Sequence, residues 1–184
     1  MSERPRRTAQ GRAGARQWDM ATTALKGTPV RTVGELPEVG SPAPSFVLTG
    51  TDLTDFAKED LAGRRVVLNI FPSIDTGVCA ASVRTFNELA AELDDTVVVC
   101  ASKDLPFAQK RFCGAEGIEN VSAASAFRSG FGDALGVTMA DGPMAGLLAR
   151  SVVVLDADGT VLHTELVPEI GQEPDYDRAI AALG

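Results

Sequence analysis

Cysteine is the residue type most able to do chemistry in this sequence of 184 residues. The chain has three cysteines, Cys79, Cys100 and Cys113, and a single histidine, His163. The cysteines are odd in number, far apart and form no C-x-x-C pair, which argues against a zinc site and a disulfide-stapled secreted scaffold. His163 alternates within a predicted strand and is interpreted as a structural or surface residue. If the chain is an enzyme, its chemistry therefore runs through cysteine.

Cys79 is the strongest candidate nucleophile, because it lies between a buried strand predicted over Val66–Phe71 and a helix predicted from about Thr76 to Leu93. Unpaired backbone N–H groups and the positive end of the macrodipole favour a thiolate, the nucleophilic form, in the first turn of a helix. Thr76 could place its hydroxyl beside the sulfur while capping the helix, and Pro72 could shield one side of the loop. The alternative is that Cys79 is only a small buried apolar residue.

Arg150 is a second candidate, because it interrupts an apolar strand predicted over Leu147–Leu155. A buried guanidinium needs an anionic partner, since a buried unpaired charge is very costly. That partner could be an ordinary carboxylate, or a thiolate at the end of the sheet together with an oxygen-rich substrate. Arg84, five residues after Cys79, is a weaker alternative because it could lie on the solvent face of its helix.

The other two cysteines have different predicted settings. Cys113 is near the end of a helix predicted over Pro106–Gly114, where the helix dipole disfavours a thiolate, so it is a poor primary nucleophile. It could still attack an oxidised sulfur once the last helical turn frays. Cys100 lies within an apolar strand predicted over Thr96–Ser102, where a packing role is favoured.

The elements that must position these residues alternate between strands and helices. An N-terminal β-hairpin is predicted over Leu25–Val33, with its turn near Gly27 and Thr28. The remaining predictions, in chain order, are a strand Phe46–Thr49, a strand Val121–Ala124, a short helix near Phe127–Leu135, a hairpin turn Asp156–Gly159, a strand Val161–Val167 and a helix Asp175–Leu183. This order predicts an α/β fold with a central mixed sheet flanked by helices. A thioredoxin-like arrangement fits the order, as do other α/β folds.

Charge divides the chain into two parts. Residues 1–19 hold five arginines and two acidic residues, whereas the rest carries 12 basic and 23 acidic residues. We predict a disordered Arg-rich tail over residues 1–20 and one domain over residues 21–184. The tail lacks the apolar segment of a secretory signal, and Met20 could be an alternative start. The acidic domain argues against binding to nucleic acid or membrane, and no apolar run is long enough for a membrane span, so we expect a soluble protein.

Four segments of the sequence closely resemble the bacterial thiol peroxidases, which are atypical two-cysteine peroxiredoxins. They are FPSIDTGVCAASVRTFN (71–87), DLPFAQKRFCGAEG (104–117), ADGPMAGLLARSVVVLD (140–156) and EPDYDRAIAAL (173–183). The resemblance extends over about residues 25–183 and implies a thioredoxin-like fold of the peroxiredoxin type. It also implies roles for particular residues: peroxidatic for Cys79, resolving for Cys113, pocket-forming for Pro72, Thr76 and Arg150, and non-essential for Cys100.

The same resemblance implies a mechanism and partners. Cys79 would reduce hydrogen peroxide or an organic hydroperoxide and become a sulfenic acid, which Cys113 would convert to an intramolecular disulfide. Thioredoxin would reduce that disulfide, in a cytoplasmic homodimer that serves antioxidant defence without a metal or other cofactor. We expect both cysteine segments to unfold locally for the sulfurs to meet. Three alternatives stay open: a one-cysteine peroxidase, a redox-sensing module, and a thioredoxin-like protein without redox activity.

Overall fold

The computed structural model describes residues 20–184, so the predicted disordered tail lies outside the described residues except for Met20. The described part begins with a two-stranded antiparallel hairpin, formed by β1 (Thr22–Leu25) and β2 (Thr28–Arg31). The prediction that this hairpin begins at Leu25 was wrong. Leu25 instead ends the first strand and pairs with Thr28, because Lys26 and Gly27 both have positive φ and form a two-residue turn.

A seven-stranded mixed sheet follows, in the order β4-β3-β7-β6-β5-β8-β9. Its strands are β3 (Val47–Gly50), β4 (Asp55–Ala57), β5 (Arg65–Ile70), β6 (Thr96–Ser102), β7 (Ser122–Ser125), β8 (Ser151–Leu155) and β9 (Val161–Leu166). The three central strands β5, β6 and β7 are parallel, and the other neighbouring pairs are antiparallel. The predicted α/β class, mixed sheet and N-terminal hairpin are confirmed.

The helices are α1 (Gly77–Ala90), α2 (Pro106–Glu116), α3 (Phe131–Ala134) and α4 (Tyr176–Ala181), with a 3-10 turn at Lys58–Leu61. Several predicted helix bounds were wrong, and α4 is one such case because it spans Tyr176–Ala181 and not Asp175–Leu183. α1 stops short of Leu93 because the chain after Ala90 tightens into i to i+3 hydrogen bonds. α2 continues through Gly114, because the left-handed residue that ends it is Gly117, with φ of 66°. α3 does not include Phe127, whose N–H donates to the Ser125 hydroxyl in the preceding turn.

The long apolar strand predicted over Leu147–Leu155 consists of two different pairings. Residues 147–149 pair with residues 137–139, through hydrogen bonds from the Met139 N–H to the Leu147 carbonyl and from the Ala149 N–H to the Val137 carbonyl. Within this predicted strand, the part that pairs with β5 is β8, which begins at Ser151. Arg150 therefore lies immediately before a central strand rather than inside one.

The two faces of the sheet carry separate apolar clusters, because successive strand residues point to opposite faces. On β5, Val67 belongs to the cluster beneath α1 and α4, whereas Val66 and Leu68 belong to the cluster on the other face. The register of β5 against β8 places Ile70 opposite Ser151. The loop that follows β5 and the residue that precedes β8 consequently meet at one edge of the sheet. Within residues 20–184, no helix is long and apolar enough to cross a membrane.

Candidate active site

Cys79 lies in the first turn of α1, at the sheet edge where β5 ends, and its side chain is fully buried. Its sulfur is not surrounded only by apolar atoms. The Nη2 atom of Arg150 donates a hydrogen bond to Cys79 Sγ at 3.2 Å. A cationic donor at this distance stabilises a thiolate over a thiol. Cys79 is thus both a core residue and the partner of a buried charge.

Two of the three guanidinium nitrogens of Arg150 donate hydrogen bonds within the protein. The side chain is 2% exposed, and its Nε donates to the Ile170 carbonyl at 2.9 Å. Its Nη1 is buried and has no hydrogen-bond partner among residues 20–184. No carboxylate in the described part of the chain forms a salt bridge with Arg150, so the ordinary ion pair considered from the sequence is not what the structure shows. A small oxygen-containing ligand is the kind of group that could satisfy Nη1.

A pocket of 180 Å³ adjoins this guanidinium. The structure brings together in its lining the predicted site residues Pro72, Thr76 and Arg150. The remaining lining residues are mostly apolar and include Leu25 of the hairpin, Gly77, Val78, Met144, Ile170 and Gly171. Pro72 itself is buried where the chain leaves β5. The pocket thus combines an apolar wall with one multi-donor cation.

Thr76 occupies the predicted N-cap position, but the predicted cap by its hydroxyl is absent. The hydroxyl donates instead to the Ser73 carbonyl at 3.0 Å. The Thr76 N–H donates to that same carbonyl, which closes a turn immediately before the helix. Since the hydroxyl proton is used within this turn, the polar contact of the Cys79 sulfur is Arg150 rather than Thr76.

Asp104 holds the loop before α1, and the sequence interpretation missed it. Its Oδ1 accepts from the Ser73 hydroxyl at 2.8 Å, and its Oδ2 accepts from the Ile74 N–H at 2.7 Å and the Ser102 hydroxyl at 2.6 Å. An aspartate two residues before Pro106, the first residue of α2, is typical of a local cap. That signal gives no indication of a contact with a loop 30 residues away.

Cys113 lies in the last turn of α2, and its side chain is partly buried against the same apolar cluster that contains Cys79. Burial raises the pKa of the Cys113 thiol above its ordinary value. Cys113 also lines an open pocket of 640 Å³ between α2 and the edge strands of the sheet. All three cysteines are free thiols. The Cys113 side chain is therefore partly exposed, whereas the Cys79 side chain is fully buried.

Cys100 and Arg84 lie away from this site. Burial raises the pKa of Cys100 to about 12, and its sulfur contacts only the amide of Asn69 at 3.6 Å among polar groups. Arg84 pairs with Glu116 at 2.7 Å and stacks on the Phe112 ring at 5.8 Å. The Cys100 setting fits the predicted packing role, and Arg84 does not contact the Cys79 sulfur.

His163 lies on β9, opposite Val154 of β8. Its Nε2 is buried and has no hydrogen-bond partner within residues 20–184. In the same residues, no cluster of three or more histidine, cysteine, aspartate or glutamate side chains has the arrangement of a metal site.

Comparison with known proteins agrees with this geometry. The redoxin family model matches residues 38–180 of the chain. The sequence is 66% identical over 165 residues to a thiol peroxidase of Mycobacterium tuberculosis, covering 90% of this chain and 99% of that protein. It is 57% identical over 164 residues to a thiol peroxidase of Corynebacterium glutamicum, covering 89% and 99%. The crystal structure of a peroxiredoxin-like protein from Aquifex aeolicus superposes with a TM-score of 0.84 at 41% identity, covering 88% of this chain and 95% of that one.

Proposed function

The chain belongs to the redoxin family, among its bacterial thiol peroxidases, and from this we propose that Cys79 is the peroxidatic cysteine of a thiol-dependent peroxidase. The observation that carries the proposal is the hydrogen bond of 3.2 Å from Arg150 Nη2 to Cys79 Sγ, beside a pocket that Arg150 also lines. Few arrangements explain a fully buried cysteine that contacts a fully buried guanidinium. A nucleophilic thiolate with its charge-stabilising partner is one of them.

The first step is attack on the hydroperoxide. The Cys79 thiolate attacks the distal oxygen of ROOH, so that an S–O bond forms and the O–O bond breaks, and the displaced RO⁻ takes a proton from solvent to become ROH. Cys79 is oxidised to a sulfenic acid as the peroxide is reduced. The Arg150 guanidinium stabilises the negative charge that develops on the two oxygens, because its Nη1 is not engaged by any group in the described part of the chain. Pro72 excludes water on one side, and Thr76 lines the pocket at the helix start.

The second step requires a change of conformation. Cys113 attacks the sulfenic sulfur, and water leaves as the Cys79–Cys113 disulfide forms. Cys79 is fully buried in the first turn of α1, and Cys113 is in the last turn of α2. A disulfide needs the two Cα atoms within about 7 Å, so we propose that both turns unwind for this step.

A dithiol reductant of the thioredoxin type closes the cycle. We propose that its first thiolate attacks the sulfur of Cys113, which lines an open pocket, and that Cys79 leaves as a thiolate. The second thiol of the reductant then attacks its own sulfur in the mixed disulfide, which releases Cys113 and leaves the reductant oxidised to a disulfide. The enzyme would act in the cytoplasm as a homodimer. Exposed apolar side chains at Leu53, Leu105, Phe107 and Phe127 support self-association, and sedimentation equilibrium tests it directly.

The decisive experiment measures hydroperoxide consumption with thioredoxin, thioredoxin reductase and NADPH. Wild-type protein should turn over, Cys79→Ser should be inactive, and Cys113→Ser should stop after one peroxide per chain. Mass spectrometry after one equivalent of peroxide should find the Cys79–Cys113 disulfide in the wild type. A persistent sulfenic acid in the wild type would replace this proposal with a one-cysteine peroxidase, and full activity of Cys79→Ser would refute it.

A further inference from the structure

Asp104 is a partly buried carboxylate that joins the segment before Cys79 to the segment before Cys113. It lies between β6 and α2, yet both of its oxygens accept hydrogen bonds from the loop that leads into α1, from the Ser73 hydroxyl and the Ile74 N–H. Ile74 is itself buried against the apolar cluster beneath α1. Releasing Asp104 from this loop therefore frees the chain immediately before the helix turn that carries Cys79.

The same carboxylate is also anchored toward α2. Its Oδ2 accepts from the Ser102 hydroxyl, which in turn accepts from the side-chain amide of Gln109 at 3.1 Å. Gln109 is 1% exposed, donates a second hydrogen bond to the Ala124 carbonyl, and lies one helical turn before Cys113. A connected network of hydrogen bonds, partly buried at Asp104 and fully buried at Gln109, thus runs from the loop before Cys79 to the helix of Cys113.

Other polar contacts between these two segments are weaker. Asp75 and Arg111 lie 3.5 Å apart, with side chains 66% and 72% exposed. Arg84 and Glu116 are closer, with side chains 47% and 34% exposed. Ion pairs exposed to solvent in this way contribute little to stability, because water and salt screen their charges. Charge-assisted hydrogen bonds to a partly buried carboxylate are stronger, so the Asp104 contacts dominate.

We propose that Asp104 is a positioning residue that keeps the loop before Cys79 closed, and that this closure decides the fate of the Cys79 sulfenic acid. The inference rests on the proposed function. In the open state, the Cys113 thiol attacks Cys79–SOH, a disulfide forms and water leaves. In the closed state, the sulfenate attacks a second ROOH, Cys79 becomes a sulfinic acid and ROH leaves. Asp104 thereby favours rapid reaction with peroxide at the expense of disulfide formation.

The test substitutes Asp104→Asn, which replaces one accepting oxygen by a donor, so that the three donors can no longer all be satisfied. The matched control is Asp75→Asn, which removes a carboxylate from the same loop where it is exposed. Ser73→Ala deletes only one of the three hydrogen bonds and serves if Asp104→Asn is poorly folded. Two quantities are measured: the rate constant for Cys79 oxidation, by competition with a reporter peroxidase, and the sulfinic fraction formed per turnover, by mass spectrometry.

We expect Asp104→Asn to lower the oxidation rate constant by about tenfold and the sulfinic fraction per turnover by about threefold or more. Ser73→Ala should change both in the same directions by less, and Asp75→Asn should change neither by twofold. A merely structural role would lower the melting temperature without moving the ratio of sulfinic acid to disulfide. If Asp104→Asn leaves that ratio at the wild-type value, the inference is wrong. If wild-type protein forms no Cys79–Cys113 disulfide, the proposed function has failed instead.

Discussion

Glu169 and Gly27 are joined across 142 residues of sequence by a hydrogen bond of 3.0 Å from the Gly27 N–H to Glu169 Oε2. The other carboxylate oxygen accepts from the Lys26 N–H at 2.9 Å. The next residue, Ile170, donates its N–H to Ala24 and supplies the carbonyl that accepts from Arg150 Nε. The turn of the N-terminal hairpin is thereby tied to the segment that orients the guanidinium at Cys79.

We predict that Glu169→Gln weakens the hydrogen bonds to the hairpin turn and makes the pocket wall formed by Leu25 and Ile170 more mobile. The rate constant for a bulky organic hydroperoxide should fall about threefold, and that for hydrogen peroxide should change less, since only the larger substrate needs the wall. Competition kinetics with both peroxides measure the difference. Glu38→Gln, at an exposed carboxylate, is the control. Equal effects on the two substrates would contradict the prediction.

The hydrogen bonds from the hairpin turn to the Glu169 carboxylate should also depend on pH. Hydrogen bonds from the Gly27 and Lys26 N–H groups hold the pKa of Glu169 below its ordinary value of 4.5. Because the folded-state pKa is lowered, the stability that these hydrogen bonds contribute is fully present above pH 4.5. It is lost as the pH falls through the folded-state pKa. The Gly27 amide resonance, followed by NMR, should therefore titrate with a midpoint below that of a free glutamate. A midpoint at or above the ordinary value would argue that the carboxylate is not held by the turn.

Arg150→Lys should retain the positive charge but lose the planar arrangement of several hydrogen-bond donors. A lysine ammonium is a point charge that cannot contact Cys79, Ile170 and a peroxide together as the planar guanidinium can. Removing one preorganised donor to a developing oxyanion costs about 10²–10³-fold in rate, so we expect the peroxide rate constant to fall by about 100-fold. Stopped-flow oxidation of Cys79 measures it. Arg178→Lys, at a side chain 79% exposed, should change it by less than twofold. A loss of less than threefold at Arg150 would show that charge alone suffices.

Cys100 should contribute to alkaline instability and not to activity. Its pKa is raised by burial from 9.0 to about 12 in the folded protein. Above pH 9.0 the unfolded chain therefore loses this proton while the folded chain keeps it, and the free energy of unfolding falls by about 1.4 kcal/mol per pH unit. Cys100→Ala removes that slope. Denaturant unfolding with reductant, at pH 7 and at pH 10, should show a smaller pH effect for the variant than for the wild type.

The peroxidase rate of Cys100→Ala is the internal control for that experiment. We expect it to stay within twofold of the wild type, because the Cys100 sulfur contacts neither Cys79 nor Arg150 by hydrogen bond. Identical pH dependence in the two proteins would show that the buried thiol ionises normally in the folded state.

Asn69 and Ser82 should be strongly coupled. The Asn69 amide donates to the Ser82 hydroxyl at 3.2 Å, and that hydroxyl donates to the Cys79 carbonyl at 2.8 Å, all within the core. Ser82→Ala leaves a buried amide with too few partners and should cost about 1–3 kcal/mol of unfolding free energy. Asn69→Ala and the double variant complete a cycle that we expect to show coupling above about 0.5 kcal/mol. Ser45→Ala, at an exposed hydroxyl, should be neutral. Additive losses would indicate that the two side chains act independently.

Much of this protein could be predicted from local sequence. Buried parallel strands have near-continuous β-branched runs, so β5 and β6 were located to within one residue. The position of Cys79 at a helix start follows from the same local pattern. Cys79, Thr76, Pro72 and Arg150 were all identified as candidates, and the structure brings them to one edge of the sheet.

Only the tertiary structure decided how these residues meet. The split of residues 147–155 into two pairings depends on the distant partners 137–139 and β5, and an apolar run alone does not distinguish them. The same holds for the Thr76 hydroxyl, which could either cap the first turn of α1 or donate to the Ser73 carbonyl. The sequence allows both contacts, and the folded loop forms the second. Asp104 and Glu169 act on loops far away in sequence, where no periodicity can reveal a partner. Sequence thus determined which cysteine is the candidate nucleophile, and the fold determined which charges and hydrogen bonds surround it, because long-range contacts depend on packing.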